Sequence, residues 1–269
     1  MTIKNRFEDF FYKKIVRPIL LLSKLGRTSV FGNADSGLNF DHMYRKKPKG
    51  ITVFGKFVDK VLLNLPSVEA TRHRKDIIIK ILQNEIANNI VEGKKTKIVD
   101  IASGPARYVT ELITNSNQEE IEVLCLDRDR RSLNFGKVLA GKKPIRYARA
   151  DVSKTEKLSK LSKRVSWEPN VVISSGLFEY LDDNVVKKIL KDIYENLEKG
   201  GIIVFITQKS NPSKKLMSKV CHTQDGSSWE LIYRDPEKIR IWLIESGFKA
   251  VLVSVDSWGM YEFCTGRKY

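Results

Sequence analysis

From residue 97 to its end, this 269-residue chain alternates two kinds of apolar pattern. Short runs of consecutive apolar residues occur at 97–101, 122–127, 145–152, 170–175 and 202–207. Between them, apolar positions recur three and four apart, the spacing of a helix with one buried face. Residues 182–197 are the clearest case. Residues 235–247 add boundary chemistry, with Asp235 as N-cap, Pro236 at the first helical position and Gly247 as the stop. Strands alternating with helices predict a parallel sheet covered on both faces. The last two runs, 250–256 and 260–265, are joined by too few residues for a parallel crossover and must pair antiparallel. The predicted fold is α/β: a doubly wound, mostly parallel seven-stranded sheet with an antiparallel last strand.

The front of the chain reads differently. Residues 1–24 carry Ile3, Phe7, Phe10, Phe11, Ile15 and Leu22 at helical spacing, flanked by Lys4, Arg6, Lys13, Lys14 and Arg17, with a kink or restart expected at Pro18. Residues 26–50 are rich in Gly, Asn, Asp and Ser and predict a loop ending in the basic run Arg45-Lys-Lys-Pro-Lys49. A helix over 55–65 stops at Pro66, and a longer one runs from Ser67 to about Asn89, with His73 on its charged surface. We therefore divide the chain into a helical, basic region, 1–90, and an α/β domain, 91–269. Within the latter, residues 209–228 form a long polar insertion.

The first strand and helix are joined by Ala102, Ser103, Gly104, Pro105 and Ala106, whose small side chains let a ligand approach the backbone. Asp100 precedes this turn. Asp127, at the end of the second run, is placed to accept both hydrogen bonds of a ribose diol, and Asp151, at the end of the third, to receive the exocyclic amine of an adenine. Arg128, Val152, Ser174 and Ser175 complete the candidate ligand set. A nicotinamide dehydrogenase shares the strand, turn, helix and distal acid. Its fingerprint, however, needs two further glycines for a pyrophosphate, where this chain has Pro105-Ala106-Arg107.

With these motifs in order, the sequence resembles the class I S-adenosylmethionine-dependent methyltransferases from about residue 96 onward. That family's acid-x-Gly-x-Gly-x-Gly turn stands here as Asp100-Ile-Ala-Ser-Gly-Pro-Ala106, with Ala102 and Ala106 in place of the outer glycines. Because alanine holds a positive φ poorly, ordinary backbone conformations are expected at both. Asp-Ile-Ala-Ser-Gly-Pro-x-Arg-Tyr, with Trp229 and Asp256-Ser-Trp-Gly259, is similar to a little-characterised group of bacterial methyltransferases. The resemblance implies a Rossmann-like methyltransferase fold, S-adenosyl-L-methionine as cofactor, and a lid from the preceding helices with Tyr44 and Arg72 as candidates. Arg107 is a candidate for the methionine carboxylate.

In-line methyl transfer needs few catalytic groups beyond alignment, but a hydroxyl or amine acceptor needs a proton acceptor. The candidates are Glu179, Tyr180 and His222, with Asp225 beside the last. Trp229, Tyr233 and Trp258 are candidate walls of an acceptor pocket. Gly176-Leu-Phe-Glu-Tyr lacks the Asn/Asp-Pro-Pro-aromatic signature of enzymes that methylate exocyclic base nitrogens.

Charge adds one element. Of the formal net charge of +16, about ten units lie in residues 1–80. An anionic partner is implied: a peripheral membrane surface met through residues 1–25, or RNA, alongside a small-molecule or lipid acceptor. The same helix could instead pack its apolar face on its own domain, and the fold could be a nucleoside-binding module without transfer chemistry. Residues 15–22 are too short and too interrupted by Arg17 and Pro18 for a signal peptide or a membrane span. Cys125, Cys221 and Cys264 form neither a disulfide framework nor a ligand pattern, so no metal and a reducing, cytoplasmic setting are expected.

Overall fold

The computed structural model describes residues 3–152 and 166–269. Met1 of the expected N-terminal helix, and the side chains of Ile3, Lys4 and Arg6, lie outside the described ones. The helices, in chain order, are α1 (Ile3–Phe10), α2 (Arg17–Leu20), α3 (Lys24–Thr28), α4 (Gly37–Arg45), α5 (Val53–Leu63), α6 (Pro66–Val91), α7 (Arg107–Thr114), α8 (Arg130–Ala140), α9 (Asp183–Asn196), α10 (Lys214–Val220) and α11 (Pro236–Glu245). Packing divides the chain into two compact units. One takes Met1–His73 and Asn211–Leu231, the other Arg74–Ser210 and Ile232–Tyr269. This division falls inside α6 rather than at residue 90, and it places most of the polar insertion with the helical region.

The larger unit is built on a seven-stranded sheet: β1 (Thr96–Ile101), β2 (Ile121–Asp127), β3 (Ile145–Arg149), β4 (Val171–Ser175), β5 (Ile202–Gln208), β6 (Lys249–Val255) and β7 (Tyr261–Arg267). Their order is β3-β2-β1-β4-β5-β7-β6. β1 to β5 are parallel, and β7 runs antiparallel to both β5 and β6. The antiparallel strand thus enters the sheet beside β5 and leaves β6 on the edge. Every residue of β5 is buried, which is why that segment reads as an unbroken apolar run, whereas β6 alternates exposed and half-buried positions. Val99, Ile101, Val172, Ile203 and Phe205 join Leu190 of α9 and Trp242 of α11 in one core. The boundary chemistry of α11 is as expected: Asp235 accepts from the Glu237 N–H at 2.9 Å and Gly247 takes φ +106°.

The smaller unit departs from the sequence reading at two places. Residues 26–50 hold α4 and most of α3 instead of a loop, and the insertion holds α10. A buried carboxylate explains the first. Asp59 of α5, fully buried, accepts from the Leu25 N–H at 2.7 Å, the Lys49 N–H at 2.8 Å and His42 Nε2 at 2.9 Å. Burial pushes its carboxyl up, but the bonds from His42, Leu25 and Lys49 outweigh that and hold it below the usual carboxylate range. Ser36 caps α4 through the Leu38 N–H. A segment organised around one polar group carries little apolar periodicity, so pattern alone reads it as loop.

The expected break near Pro18 also has a specific form. The chain runs as α1, a π-helical stretch Phe11–Val16, then α2, with Pro18 in the first turn of α2. Proline has no N–H to give and crowds the carbonyl four residues back. A locally wider helix before it relieves both problems.

Candidate functional site

Strand order reverses between β1 and β4, and in open parallel sheets the crevice beyond the carboxyl ends at such a switch is where ligands bind. Most of the sequence-predicted residues collect there, in the larger unit. Asp100, one residue before the end of β1, is fully buried; Tyr108 Oη of α7 donates to its Oδ2 at 2.6 Å, and its Oδ1 has no hydrogen-bond partner. Burial pushes this carboxyl up to about 8, against the Tyr108 bond and with help from the Asp127 charge.

The turn after β1 corrects one expectation. Ala102, Gly104 and Ala106 take φ of +56°, +55° and +53°, so both alanines hold the left-handed conformation that ordinary sterics disfavour. The turn is pinned from outside. The Gly104 N–H donates to Asp127 Oδ2 at 2.7 Å, the Ser103 N–H to the Leu126 carbonyl at 3.0 Å, and Tyr147 Oη to the Pro105 carbonyl at 3.3 Å. Gly136 of α8 makes room for this, since a Cβ there would stand 2.6 Å from the Tyr147 ring and 2.9 Å from the Pro105 oxygen.

Asp127 Oδ1 also accepts from the Asp129 N–H at 2.7 Å. Burial raises its carboxyl, partly offset by the Asp129 and Gly104 N–H groups. One lone pair on each oxygen is left for a ligand. Asp151 and Val152 follow β3, half-buried, beside the Ala150 N–H that donates to the Asp127 carbonyl at 3.0 Å. Ser174 and Ser175 close β4, and their Oγ atoms are buried without partners. Arg128 is exposed, its carbonyl accepting from Arg149 Nε at 3.2 Å. Arg107 begins α7, 4.0 Å from Glu111 of the same helix.

Past β4 the chain turns at Gly176, φ +101°, where a Cβ would lie 3.3 Å from Arg74 Nη1 and 3.7 Å from Glu179 Oε1. Glu179 is buried, with Oε2 unpartnered; burial raises its carboxyl, while the charges of Arg74 and Arg234 and a bond from Gln208 pull it down. Arg234 clamps this turn, Nη1 donating to the Phe178 carbonyl at 2.7 Å, Nη2 to that of Leu181 and Nε to Asp183 at 2.9 Å. Tyr180 is half-buried, its N–H on the Leu177 carbonyl. Tyr233 is also half-buried, and its phenol is raised by burial and by the Glu179 charge.

Sequence reasoning missed Arg74, Gln208, Tyr261 and Glu262. Arg74 is 2% exposed and lies 4.7 Å over the Tyr261 ring, which pairs in register with Gln208. Its neighbours Arg72, His73 and Lys75 made it look solvated, yet it stands four residues before Ile78 and eight before Leu82 on the buried stripe of α6. Glu262 is fully buried with both carboxylate oxygens unpartnered, and burial pushes it up to about 7.

Other candidates belong to the smaller unit. His222 there gives its N–H to the Ser29 carbonyl at 2.8 Å and has Nδ1 3.3 Å from the Val30 carbonyl. Asp225 Oδ1 caps the Thr223–Ser227 turn. Trp229 packs edge-on against Phe40, and Arg72 Nη1 donates to the Leu63 carbonyl at 2.7 Å. Tyr44 lies half-buried on α4, whereas Trp258, in the larger unit, is exposed on the β6–β7 turn. Among the described residues, no three His, Cys, Asp or Glu side chains are grouped to hold a metal ion.

Three comparisons bear on this geometry. Residues 5–268 match the family described as "Putative methyltransferase". The chain is 28% identical over 233 residues to the protein YnbC of Escherichia coli (strain K12), across 84% of this chain and 39% of that one, so it spans about two-fifths of that relative's length. Among solved structures it is similar to a protein of Bordetella parapertussis (TM-score 0.63, 16% identity, 100% and 99% of the two chains) and to the magnesium protoporphyrin IX methyltransferase of Synechocystis PCC 6803 (TM-score 0.57, 10% identity, 99% of each). These likenesses show the fold. With the family match covering almost the whole chain and the switch-point crevice described above, the protein belongs to that methyltransferase family.

Proposed function

We propose that this protein transfers a methyl group from S-adenosylmethionine to a hydroxyl or amine of a small molecule seated beyond β4. The reading rests on the switch-point turn, where left-handed backbone stands at all three positions that carry glycine in the family, facing a carboxyl with one unpartnered oxygen. The residues present fit an adenosine bearing an amino-acid group. Asp100 Oδ1 can accept from its ammonium, the free lone pairs of Asp127 from the ribose diol, and Asp151 from the adenine amine. Arg107, Ser174 and Ser175 are placed for the remaining polar groups, with Ala102, Ser103, Gly104, Arg128 and Val152 lining the approach.

The bound sulfonium supplies an electrophilic methyl; the chain's own residues hold the acceptor in line and take its proton. Glu179 is the group we assign to the proton, since Oε2 has no partner and burial makes the carboxylate more basic than an exposed one. With the donor bound, Glu179 would take the acceptor's O–H or N–H proton as an O–CH3 or N–CH3 bond replaced the donor's C–S bond. Arg74, stacked on Tyr261, compensates the negative charge of Glu179 before it takes the proton and orients an acidic group on the acceptor. Tyr180 stands next to this point. We favour a lipid or other amphiphile as acceptor, given the exposed apolar side chains of the smaller unit, and a reducing compartment, given three buried unbridged cysteines.

Calorimetry with S-adenosylmethionine and its demethylated product tests cofactor use. Asp127→Ala should weaken binding about 10- to 100-fold, as expected for two lost hydrogen bonds to ligand hydroxyls. Unchanged affinity would remove Asp127 from the site. Incubation with labelled methyl donor and fractionated extract then asks where label goes. Transfer into RNA would replace the small-molecule reading, and cofactor binding without any transfer would leave a nucleoside-binding module.

A further inference from the structure

The helix expected to be amphipathic at the N-terminus is attached the other way round from a helix that buries its apolar side. Its acidic residues face the protein. Glu8 pairs with Lys215 at 3.2 Å and Asp9 with Lys219 at 2.5 Å, both lysines on α10 of the same unit. Phe7, Phe10, Phe11, Ile15 and Ile19 stay in solvent, Phe7 at 70% and Phe10 at 58% exposure. Phe7, Phe11, Ile15 and Ile19 are spaced by four, which drifts around an α-helix of 3.6 residues per turn. The wider π-helical stretch Phe11–Val16 slows that rotation and keeps the row on one side.

A second helix of this unit repeats the arrangement. α5 turns Gly55, Val58, Asp59 and Leu63 inward and leaves Val53, Phe54, Phe57 and Val61 outside, Val53 at 90% and Phe57 at 60% exposure. Phe54 and Phe57 stack on each other in solvent, ring centres 6.5 Å apart. The two helices are fastened together where α2 ends and α5 begins. The Ile51 N–H donates to the Leu22 carbonyl at 3.1 Å, and a Cβ on Gly55 would stand only 2.2 Å from that same oxygen, so glycine sets the close approach. An apolar surface of this extent on a soluble unit marks a contact site.

Charge says what kind. Lys13, Lys14, Arg17, Lys56 and Lys60 are exposed along these same helices. No Asp or Glu occurs between Asp9 and Asp35, or between Asp41 and Asp59. Aromatic and aliphatic side chains bordered by lysines with no carboxylate match the interface of an anionic phospholipid bilayer, where rings enter the headgroup boundary and cations meet lipid phosphates.

We propose that the outward faces of α1, its π-helical continuation and α5 form a docking surface for an anionic phospholipid bilayer. Its basis is independent of the methyl-transfer reading and would stand if the crevice bound nothing.

The test is flotation of the full chain with vesicles of phosphatidylcholine alone, and with about one-third phosphatidylglycerol. The protein should float with the anionic vesicles and stay behind with the neutral ones. Phe54→Ser/Phe57→Ser and Phe10→Ser/Phe11→Ser, at exposed sites where folding is unaffected, should each cut binding about tenfold or more, and Lys13→Gln/Lys14→Gln should cut it several-fold. No flotation at low salt overturns the proposal. So does flotation that needs the lysines but not the phenylalanines, which is adsorption by charge alone. Sedimentation of the free protein is the third reading: a dimer abolished by the Phe54/Phe57 substitutions would make a second copy the occupant and overturn the bilayer.

Discussion

The two compact units solve the problem of apolar residues in opposite ways. In the larger one, the apolar runs of the strands and the apolar stripes of α9 and α11 meet in one core. In the smaller one, about half of the exposed large hydrophobic side chains among the described residues crowd between Phe7 and Val61, while a fully buried aspartate sits inside. The difference teaches that apolar periodicity reports which face is apolar, not which way that face turns. A helix held by ion pairs on its polar side displays its apolar side to whatever comes next.

If Asp59 organises the smaller unit, removing it should have the largest effect of any single change discussed here. Asp59→Ala leaves the Leu25 and Lys49 N–H groups and His42 without their acceptor, and loss of one member of such a buried polar set costs about 3–5 kcal/mol. Trp229 fluorescence during urea unfolding reads the smaller unit and Trp242 the larger. The midpoint seen by Trp229 should fall well below that seen by Trp242. Equal shifts would mean the units are not separately held, and no shift would remove Asp59 as the organiser.

The units should also answer pH with opposite signs. The Asp59 carboxyl is depressed, so its contribution is present above its unfolded value of 3.8 and is lost as pH falls through the lower folded value. Asp100 is raised from 3.8 to about 8, so the folded chain holds a proton that the unfolded chain releases, and stability declines as pH rises across that window. Asp100→Asn keeps an acceptor for Tyr108 Oη and removes the titration. Its stability relative to wild type should therefore grow between pH 4 and pH 8, by an amount on the order of a few kcal/mol. A pH-independent difference would show that Asp100 does not carry the effect. Above about pH 8, where Asp100 is ionised, the same substitution should weaken binding of the methyl donor, because a neutral amide pairs less strongly with an ammonium than a carboxylate does.

Much of the larger unit was legible because burial on both faces and alternation with helices leave a strong trace in sequence. The mostly parallel seven-stranded sheet, the antiparallel β7 and the gathering of Asp100, Asp127, Ser174 and Glu179 all follow from that trace. What escaped was local polar chemistry. Arg74 hid in a charged run, and only its spacing from Ile78 and Leu82 betrayed that it is buried. Helices α3 and α4 hid because each gives few residues to the small apolar cluster of Leu25, Met43, Leu63 and Val68, and a hydrogen-bonded carboxylate completes their assembly. Glu262 gave no warning at all, lying inside a strand pattern that otherwise demands apolar residues.

The turn after β1 offers the finest discrimination between pattern and strain. Ala102 and Ala106 hold left-handed backbone, a conformation that costs a non-glycine residue about 1–2 kcal/mol. Glycine removes that cost but gains freedom in the unfolded chain worth about 0.4–1 kcal/mol. At Ala102, which is half-buried, the balance favours glycine, and Ala102→Gly should raise stability by about 0.5–1 kcal/mol, seen as a small rise in Tm. Ala106 is 1% exposed, so its glycine variant also gives up a buried methyl worth about 0.8 kcal/mol and should come out near neutral. A larger gain at 106 than at 102 would mean that the pinning of the turn by Asp127 and Tyr147, and not alanine sterics, sets where its strain is held.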